Sequence, residues 1–216
     1  MKKIISFGLW GENPRYTIGA LKNADLAKEI YPDWICRYYA GKSTPIEIIK
    51  SLYEKDNTEI IIMNEQGDWN GMFWRFFPAS DSDVEVMISR DADSRLSERE
   101  KAAVDEWLDS DKGFHIMRDH PAHGTEILGG MWGAKSGSIP QMKTLILEYS
   151  KGNFWQVDQN FLKEKIYPIV KDNCYVHDEF FEKKPFPTIR KDGIDKNGNP
   201  TNFIGEPVNE KDERIW

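Results

Sequence analysis

Short apolar runs alternate with amphipathic segments through most of the chain. Five apolar runs have the length of β-strands: residues 3–9, 34–39, 59–63, 84–89 and 114–117. A glycine-rich turn and strand follow at 129–133. Helical spacing is found at 18–30, 45–53, 97–108, 140–149 and 156–170. This alternation predicts an α/β domain with a mostly parallel central sheet flanked by helices.

Three local features refine this prediction. The run Glu-Ile-Ile-Ile-Met at 59–63 is apolar enough to be buried on both faces. Ser97, with Glu100 three residues later, forms a capping box that predicts the start of a helix. Residues 183–216 are rich in proline and charge and have no regular period. We therefore predict a catalytic domain at 1–182 and an irregular extension at 183–216, which is not a separate domain and is dispensable for core folding.

Composition narrows the classes of protein that the chain can belong to. The 216 residues are 39% hydrophobic with a mean hydropathy of -0.63, and no apolar run reaches the roughly 18 residues of a membrane span. A net charge of -7 argues against broad nucleic-acid binding. Cys36 and Cys174 suggest neither a disulfide framework nor a zinc site. We expect a soluble, intracellular, cytoplasmic protein with neither a nucleic-acid partner nor a membrane span.

One of three Asp-x-Asp triplets stands out by its position. The triplets at 81–83 and 109–111 flank a strand and a helix, as turn residues do. The triplet at 91–93 follows the apolar run 84–89 directly, and ligands gather beyond the carboxyl ends of strands in α/β sheets. Two carboxylates there suit Mg²⁺ or Mn²⁺, which can bridge a diphosphate. A solvated acidic turn is the alternative.

Two arginines flank this triplet. The guanidinium groups of Arg90 and Arg95 have the forked geometry that suits a diphosphate. They can equally be ion-pair partners of Asp91 and Asp93. Other nucleotide motifs are incomplete, because the phosphate-loop-like run at 41–44 lacks its upstream glycine.

Several blocks carry a resemblance to a known family. The first are Ser-Arg-Asp-Ala-Asp-Ser-Arg-Leu at 89–96 and, before it, Met-Phe-Trp-Arg-Phe at 72–76. Further blocks follow in order at 117–121, 127–133, 158–162 and 176–178. Together they resemble the small GT-A glycosyltransferase domains of large algal viruses, the chlorella viruses, and of some bacteria. The resemblance covers roughly residues 3–182.

The resemblance implies a GT-A-like fold, a UDP-hexose or UDP-deoxyhexose donor, a glycan acceptor, and Mn²⁺ or Mg²⁺. It implies Asp91, Asp93 and His177 as metal ligands and Asp158 with Gln159 as the catalytic pair that faces the sugar. The implied donor-binding residues are Phe7, Gly8, Arg75, Arg90, Asp91, Ala92, Asp93, Gly129, Gly130, Met131 and Trp132.

The residues alone leave other interpretations open. The block 129–133 can be a tight bend with Trp132 in the core. Asp158 can be an acidic residue that the dipole of its helix favours. His177 can be structural.

We carry three hypotheses about function. The first is metal-dependent glycosyl transfer, for which we favour retention of configuration over inversion. The second is a nucleotide-sugar or carbohydrate binding module without transfer activity. The third is a nucleotidyltransferase. That class usually needs a glycine-rich phosphate loop with a lysine near the first strand, and the segment Gly8-Leu9-Trp10-Gly11 has no lysine.

Overall fold

A computed structural model of the chain describes residues 1–150 and 152–215. Within these residues, seven strands form one sheet: β1 Lys2–Leu9, β2 Ile35–Ala40, β3 Thr58–Ile62, β4 Val84–Ser89, β5 Phe114–Arg118, β6 Trp132–Lys135 and β7 Cys174–Asp178. Their order is β3-β2-β1-β4-β6-β5-β7. Strand β6 is antiparallel to its neighbours β4 and β5, and the remaining described pairs are parallel. The α/β prediction is therefore confirmed.

Helices cover both faces of the sheet. They are α1 Pro14–Ile30, α2 Ile46–Tyr53, α3 Glu98–Asp109, α4 Met142–Glu148, α5 Val157–Phe161 and α6 Tyr167–Val170. A π-helical turn, Leu162–Ile166, joins α5 to α6, and 3₁₀ turns occupy Trp69–Ser80 and Lys171–Asn173. Among the described residues, none of the helices is both long and apolar enough to span a bilayer.

Local sequence accounts for where two of these helices begin. The side chain of Asn13 accepts a hydrogen bond from the Arg15 amide, and Pro14 fills the first turn, so α1 begins earlier than predicted. Ser97 caps α3 by accepting from the Glu100 amide at 3.2 Å, as predicted. The carboxylate of Glu100 does not complete a capping box, because it is paired with Arg90.

The prediction that residues 59–63 are buried on both faces is wrong. Strand β3 lies at the edge of the sheet and pairs with β2 alone. Ile61 and Ile62 are consequently 38% and 52% exposed. Strand β7 and the long 3₁₀ segment were not predicted, since neither has a clear local period.

Two apolar cores lie on opposite faces of the sheet because successive strand residues point in opposite directions. Ile4 and Met87 belong to the core that contains Trp132 and the helical run from α5 to α6. Ile5 and Ile88 belong to the other core, which packs under α1 and α3. The strands that carry the candidate site are thus fixed from both sides.

The irregular extension packs on the domain. Phe186 and Ile204 share a small apolar cluster with Met117 and Met131. The Ile204 amide donates to the Asp119 carboxylate at 3.0 Å. Residue 216 of the predicted extension lies outside the described residues. The sequence predicts that the extension is dispensable for core folding. Because of these contacts, we expect instead that it contributes to stability.

We predict that truncation after Glu182 lowers the melting temperature by about 5 °C or more, because it uncovers an apolar cluster. Truncation after Asn209 is the matched control, since it removes surface residues and should shift the melting temperature by about 2 °C or less. Differential scanning calorimetry measures both. A chain truncated after Glu182 that melts within about 2 °C of the full-length chain would restore the prediction that the extension is dispensable.

Candidate active site

A cavity of about 840 Å³ opens beyond the carboxyl ends of β1 and β4. This is the edge of the sheet at which α/β folds bind ligands. Ten of the residues proposed from the sequence line it: Gly8, Arg75, Asp91, Ala92, Asp93, Gly129, Gly130, Met131, Asp158 and Gln159. The structure therefore brings most of the predicted donor-binding and catalytic residues together.

Arg75 joins two of the carboxylates. It comes from the 3₁₀ segment Trp69–Ser80 and is 7% exposed. Its Nη2 donates to Asp158 Oδ2 at 2.8 Å, and its Nη1 donates to Asp91 Oδ1. Burial disfavours the charged form of Arg75. The carboxylates of Asp91 and Asp158 favour that form more strongly, so the pKa of Arg75 is raised. One guanidinium thus links the loop after β4 to the first turn of α5.

The cavity carries an excess of negative charge. Burial and the charge of Asp91 raise the pKa of Asp93, although its ion pair with Arg15 acts in the opposite direction. Burial likewise raises the pKa of Asp158 against the effect of Arg75. Among the described residues, the charged groups that line the cavity are Glu12 with these three aspartates, and Arg15 with Arg75. Four carboxylates therefore face two guanidinium groups.

Helix α1 holds the loop that carries Asp91 and Asp93. The buried side chain of Asn23 donates to the Ser94 carbonyl at 2.8 Å and accepts from the Leu96 amide at 3.1 Å. Gly19 lets the helix approach the carbonyl of Ala92 without a clash. The loop geometry is consequently fixed by the helix.

The two adjacent glycines make room for carboxylates. A side chain at Gly130 would collide with Asp91, and one at Gly129 would collide with Asp158 and Arg75. The Ser89 hydroxyl donates to the Gly129 carbonyl at 2.7 Å and fixes the bend. The glycines thus bring the backbone against the side chains of the site, and both line the cavity.

Two residues assigned to donor binding lie in the cores. Phe7 is fully buried and stacks on Tyr38, with ring centroids 4.9 Å apart. Trp132 is fully buried and stacks on Phe114, with ring centroids 5.2 Å apart. Neither lines the cavity, so both assignments are corrected, and the core alternative holds for Trp132.

Arg90 is a structural residue. Its Nε donates to Glu100 Oε1 at 2.7 Å, and both side chains are 2% exposed. It therefore neither lines the cavity nor pairs with the aspartates beside it. Arg95 also points elsewhere, with its Nε 2.7 Å from Asp212 Oδ1 in the extension.

His177 is not brought together with Asp91 and Asp93. Its Nδ1 lies 2.8 Å from His115 Nε2, and its Nε2 lies 3.1 Å from Glu106 Oε2. Both ring nitrogens are thus engaged away from the cavity. In the described ranges 1–150 and 152–215, no group of three or more His, Cys, Asp or Glu side chains is arranged to hold a metal. The predicted ligand trio is therefore not assembled.

Arg15, Tyr16 and His123 are among the cavity-lining side chains that sequence reasoning missed. The Asn-Pro start of α1 could have identified Arg15, because it places that residue in the first turn after β1. Burial and the neighbouring His120 lower the pKa of His123 to about 3, against the charges of Asp178 and Asp91. His123 is therefore a neutral imidazole near Asp91 at physiological pH.

The carboxylates of the cavity fit a hard divalent cation. Asp91 has one oxygen on Arg75, and its side chain stays 43% exposed to the cavity. Mg²⁺ is typically held by one or two carboxylates together with substrate phosphates, so two aspartates suffice. The excess of negative charge and the raised pKa of Asp93 are features that such an ion would relieve.

Comparison with known proteins bears on the fold. Neither a protein-family model nor a curated protein sequence matches the chain. Among solved structures, it is similar to a glycosyltransferase involved in glycosylation of the major capsid of PBCV-1, with a TM-score of 0.56, 16% identity and 84% of each chain covered. It is also similar to the mannosyltransferase PcManGT from Pyrobaculum calidifontis, solved with GDP-Man and Mn²⁺. That match has a TM-score of 0.55, 12% identity, and coverage of 82% of this chain and 54% of that one.

The fold is shared with an enzyme of another kind. The 4-diphosphocytidyl-2C-methyl-D-erythritol synthase from Anaerococcus prevotii matches with a TM-score of 0.54 and 11% identity, over 88% of this chain and 93% of that one. Likeness at this level of identity establishes architecture, and chemistry has to be argued from the cavity. The strand order, the position of the cavity and these likenesses together show that the chain has the GT-A fold.

Proposed function

We propose that this protein is a metal-dependent glycosyltransferase that moves a hexose or deoxyhexose from a UDP-sugar donor to a glycan acceptor. The observation that supports this most is that Arg75 joins Asp91 and Asp158 in a cavity of about 840 Å³, which Asp93, paired with Arg15, also lines. That volume is within the range of sites which enclose small ligands.

In this proposal the loop after β1 contacts the nucleotide. Gly8, Trp10 and Tyr16 line the cavity on that side, and aromatic rings can stack on a base. A Cβ at residue 8 would lie only 3.1 Å from the Gly71 carbonyl oxygen, so glycine allows the backbone of β1 to lie close to the 3₁₀ segment Trp69–Ser80. Arg15, in the first turn of α1, lies next to the position expected for the phosphates.

The diphosphate would be bound between the loop of Asp91 and Asp93 and the arginines. These two aspartates would hold Mn²⁺ or Mg²⁺, which supplies the positive charge that stabilises the leaving nucleotide. Without a cation, the four carboxylates of the cavity would repel a diphosphate. Metal dependence is thus the electrostatic requirement of this site.

Asp158 and Gln159 would act at the transferred sugar. The hydrogen bond from Arg75 holds Asp158, and the same guanidinium links it to Asp91. If Asp91 holds the cation at the diphosphate, Asp158 would lie on the side of the leaving group. Inversion needs a base on the opposite side, at the acceptor hydroxyl. We therefore favour retention, which the anomeric configuration of the product would test by NMR.

We predict that the protein in Mn²⁺ releases UDP from at least one UDP-hexose or UDP-deoxyhexose in a panel of nucleotide sugars. EDTA should abolish the release, and excess Mn²⁺ should restore it. A coupled assay for free nucleoside diphosphate measures this. Binding of a nucleotide sugar with no release would support the binding module, and release of pyrophosphate from UTP and a sugar phosphate would support a nucleotidyltransferase.

We predict that Asp93→Ala abolishes Mn²⁺-dependent binding of UDP and that Asp91→Ala is nearly as severe, because both remove charge that would hold the ion. Isothermal titration calorimetry with and without Mn²⁺ measures the change. His177→Gln is the matched control and should keep the wild-type affinity, since His177 contacts Glu106 and His115. Unchanged affinity in both aspartate variants would contradict the metal assignment.

We predict that Asp158→Asn keeps the wild-type melting temperature at pH 7 while turnover falls at least a hundredfold, about 2.7 kcal/mol of barrier. The folded-state pKa of Asp158 is raised, so its ionisation opposes folding above that pKa and a neutral amide does not destabilise the fold. Calorimetry and steady-state kinetics measure the two effects. Normal turnover would contradict a catalytic role, and an unfolded variant would support a structural one.

A further inference from the structure

Two indole rings at the mouth of the cavity are exposed to solvent. Trp155 is 66% exposed and Trp69 is 45% exposed, and both line the cavity. Large aromatic side chains are usually well buried, and exposed apolar groups with polar neighbours mark ligand-binding grooves. Trp155 is the more exposed of the two and immediately precedes the turn that carries Asp158.

The backbone beside Trp155 is held in an uncommon conformation. Gln156 has a φ of 69°, in the left-handed region that favours glycine. The Val157 amide donates to the Phe154 carbonyl at 3.2 Å, and Asn153 Nδ2 donates to Asp68 Oδ2 at 2.8 Å. Strain that is retained beside a cavity is typical of functional segments. These bonds hold the segment that carries Trp155 in the lining of the same cavity as Asp158.

The polar groups next to Trp155 are neutral. The amides of Gln156 and Gln159 line the cavity on either side of Asp158 in the sequence, and each amide can both donate and accept hydrogen bonds. A flat indole with amides at its edge matches a sugar ring, which has an apolar C–H face and a rim of hydroxyl groups.

The order of the contacts along the cavity indicates whether a sugar ring on Trp155 would belong to the donor or to the acceptor. Asp158 and Asp91 are linked through Arg75, and Asp93 is paired with Arg15 beside the loop after β1. In the proposed function the nucleotide occupies the end near Arg15. Trp155 precedes Asp158 in the chain and lines the cavity with it, at the other end of this series of contacts.

We propose that Trp155 and Gln156 form the subsite for the terminal sugar ring of the acceptor, with that ring on the face of the indole and Gln159 left to the transferred sugar. The assignment of this ring as the acceptor rests on the proposed function. A membrane surface fits less well, because anionic lipids attract unpaired basic groups. The arginines that line the described part of the cavity, Arg15 and Arg75, are both paired with aspartates.

The kinetic test compares transfer to methyl hexopyranosides with transfer to water, using the UDP-sugar that the panel identifies. Trp155→Ala should raise the acceptor KM at least tenfold and lower the ratio of transfer to hydrolysis accordingly, with a smaller change in the donor KM. Trp155→Phe should recover most of the loss. Phe154→Ala is the matched control, since Phe154 is 41% exposed and does not line the cavity. A rise in the donor KM alone, or an equal loss in Phe154→Ala, would overturn the proposal.

A binding measurement keeps this proposal separate from the proposed function. Saturation-transfer NMR with the same methyl hexopyranosides, in the presence of UDP and the diamagnetic ion Mg²⁺, should show contact in the wild type and in Phe154→Ala but not in Trp155→Ala. If no nucleotide sugar is turned over, the proposed function fails, and this measurement still decides the subsite. Absent contact, or binding of phosphatidylcholine–phosphatidylglycerol vesicles that Trp155→Ala abolishes, would overturn the subsite.

Discussion

The guanidinium of Arg75 connects three of the segments that line the cavity. It lies on the long 3₁₀ segment and hydrogen-bonds both Asp91, after β4, and Asp158, at the start of α5. A buried cation is stable when it is paired, and loss of both carboxylate partners would leave the charge of Arg75 uncompensated. The glycines at 129 and 130 are needed because the backbone passes directly against this ion pair. The local fold and the candidate chemistry therefore depend on the same contact.

The buried carboxylates of the cavity lower the stability of the fold and at the same time supply charge that a cation could bind. Asp93 and Asp158 are buried, and burial raises the pKa of each, so their ionised forms oppose folding at neutral pH. The helix α1 clamp through Asn23 and the two apolar cores offset this cost. Natural sites retain such carboxylates when a ligand or cation uses the charge.

Local patterns identified most of the fold, whereas sheet position and side-chain direction could not be predicted from them. The exposure of Ile62 follows from the place of β3 at the edge, which depends on the whole strand order. The pair Asp91 and Asp93 was found because ligands collect after strand ends. Arg90 was misassigned because its pairing with Glu100, on α3, depends on tertiary packing. The position of His123 in the cavity lining likewise depends on tertiary packing and could not be predicted from local patterns.

The antiparallel direction of β6 determines which of its two flanking turns can vary in length. Because β6 runs against β4, it brings its beginning to the edge that carries the cavity, and its end, at Lys135, to the opposite edge. The turn before β6 holds the glycines that accommodate the ion pair, so its length is constrained. The turn after β6, at 136–141, lies away from the cavity. Ile139 in this turn is buried in the core, whereas residues 136 and 137 are exposed, so insertions acquired during divergence, or epitopes grafted by an engineer, would be accommodated at 136–137 without reaching the cavity.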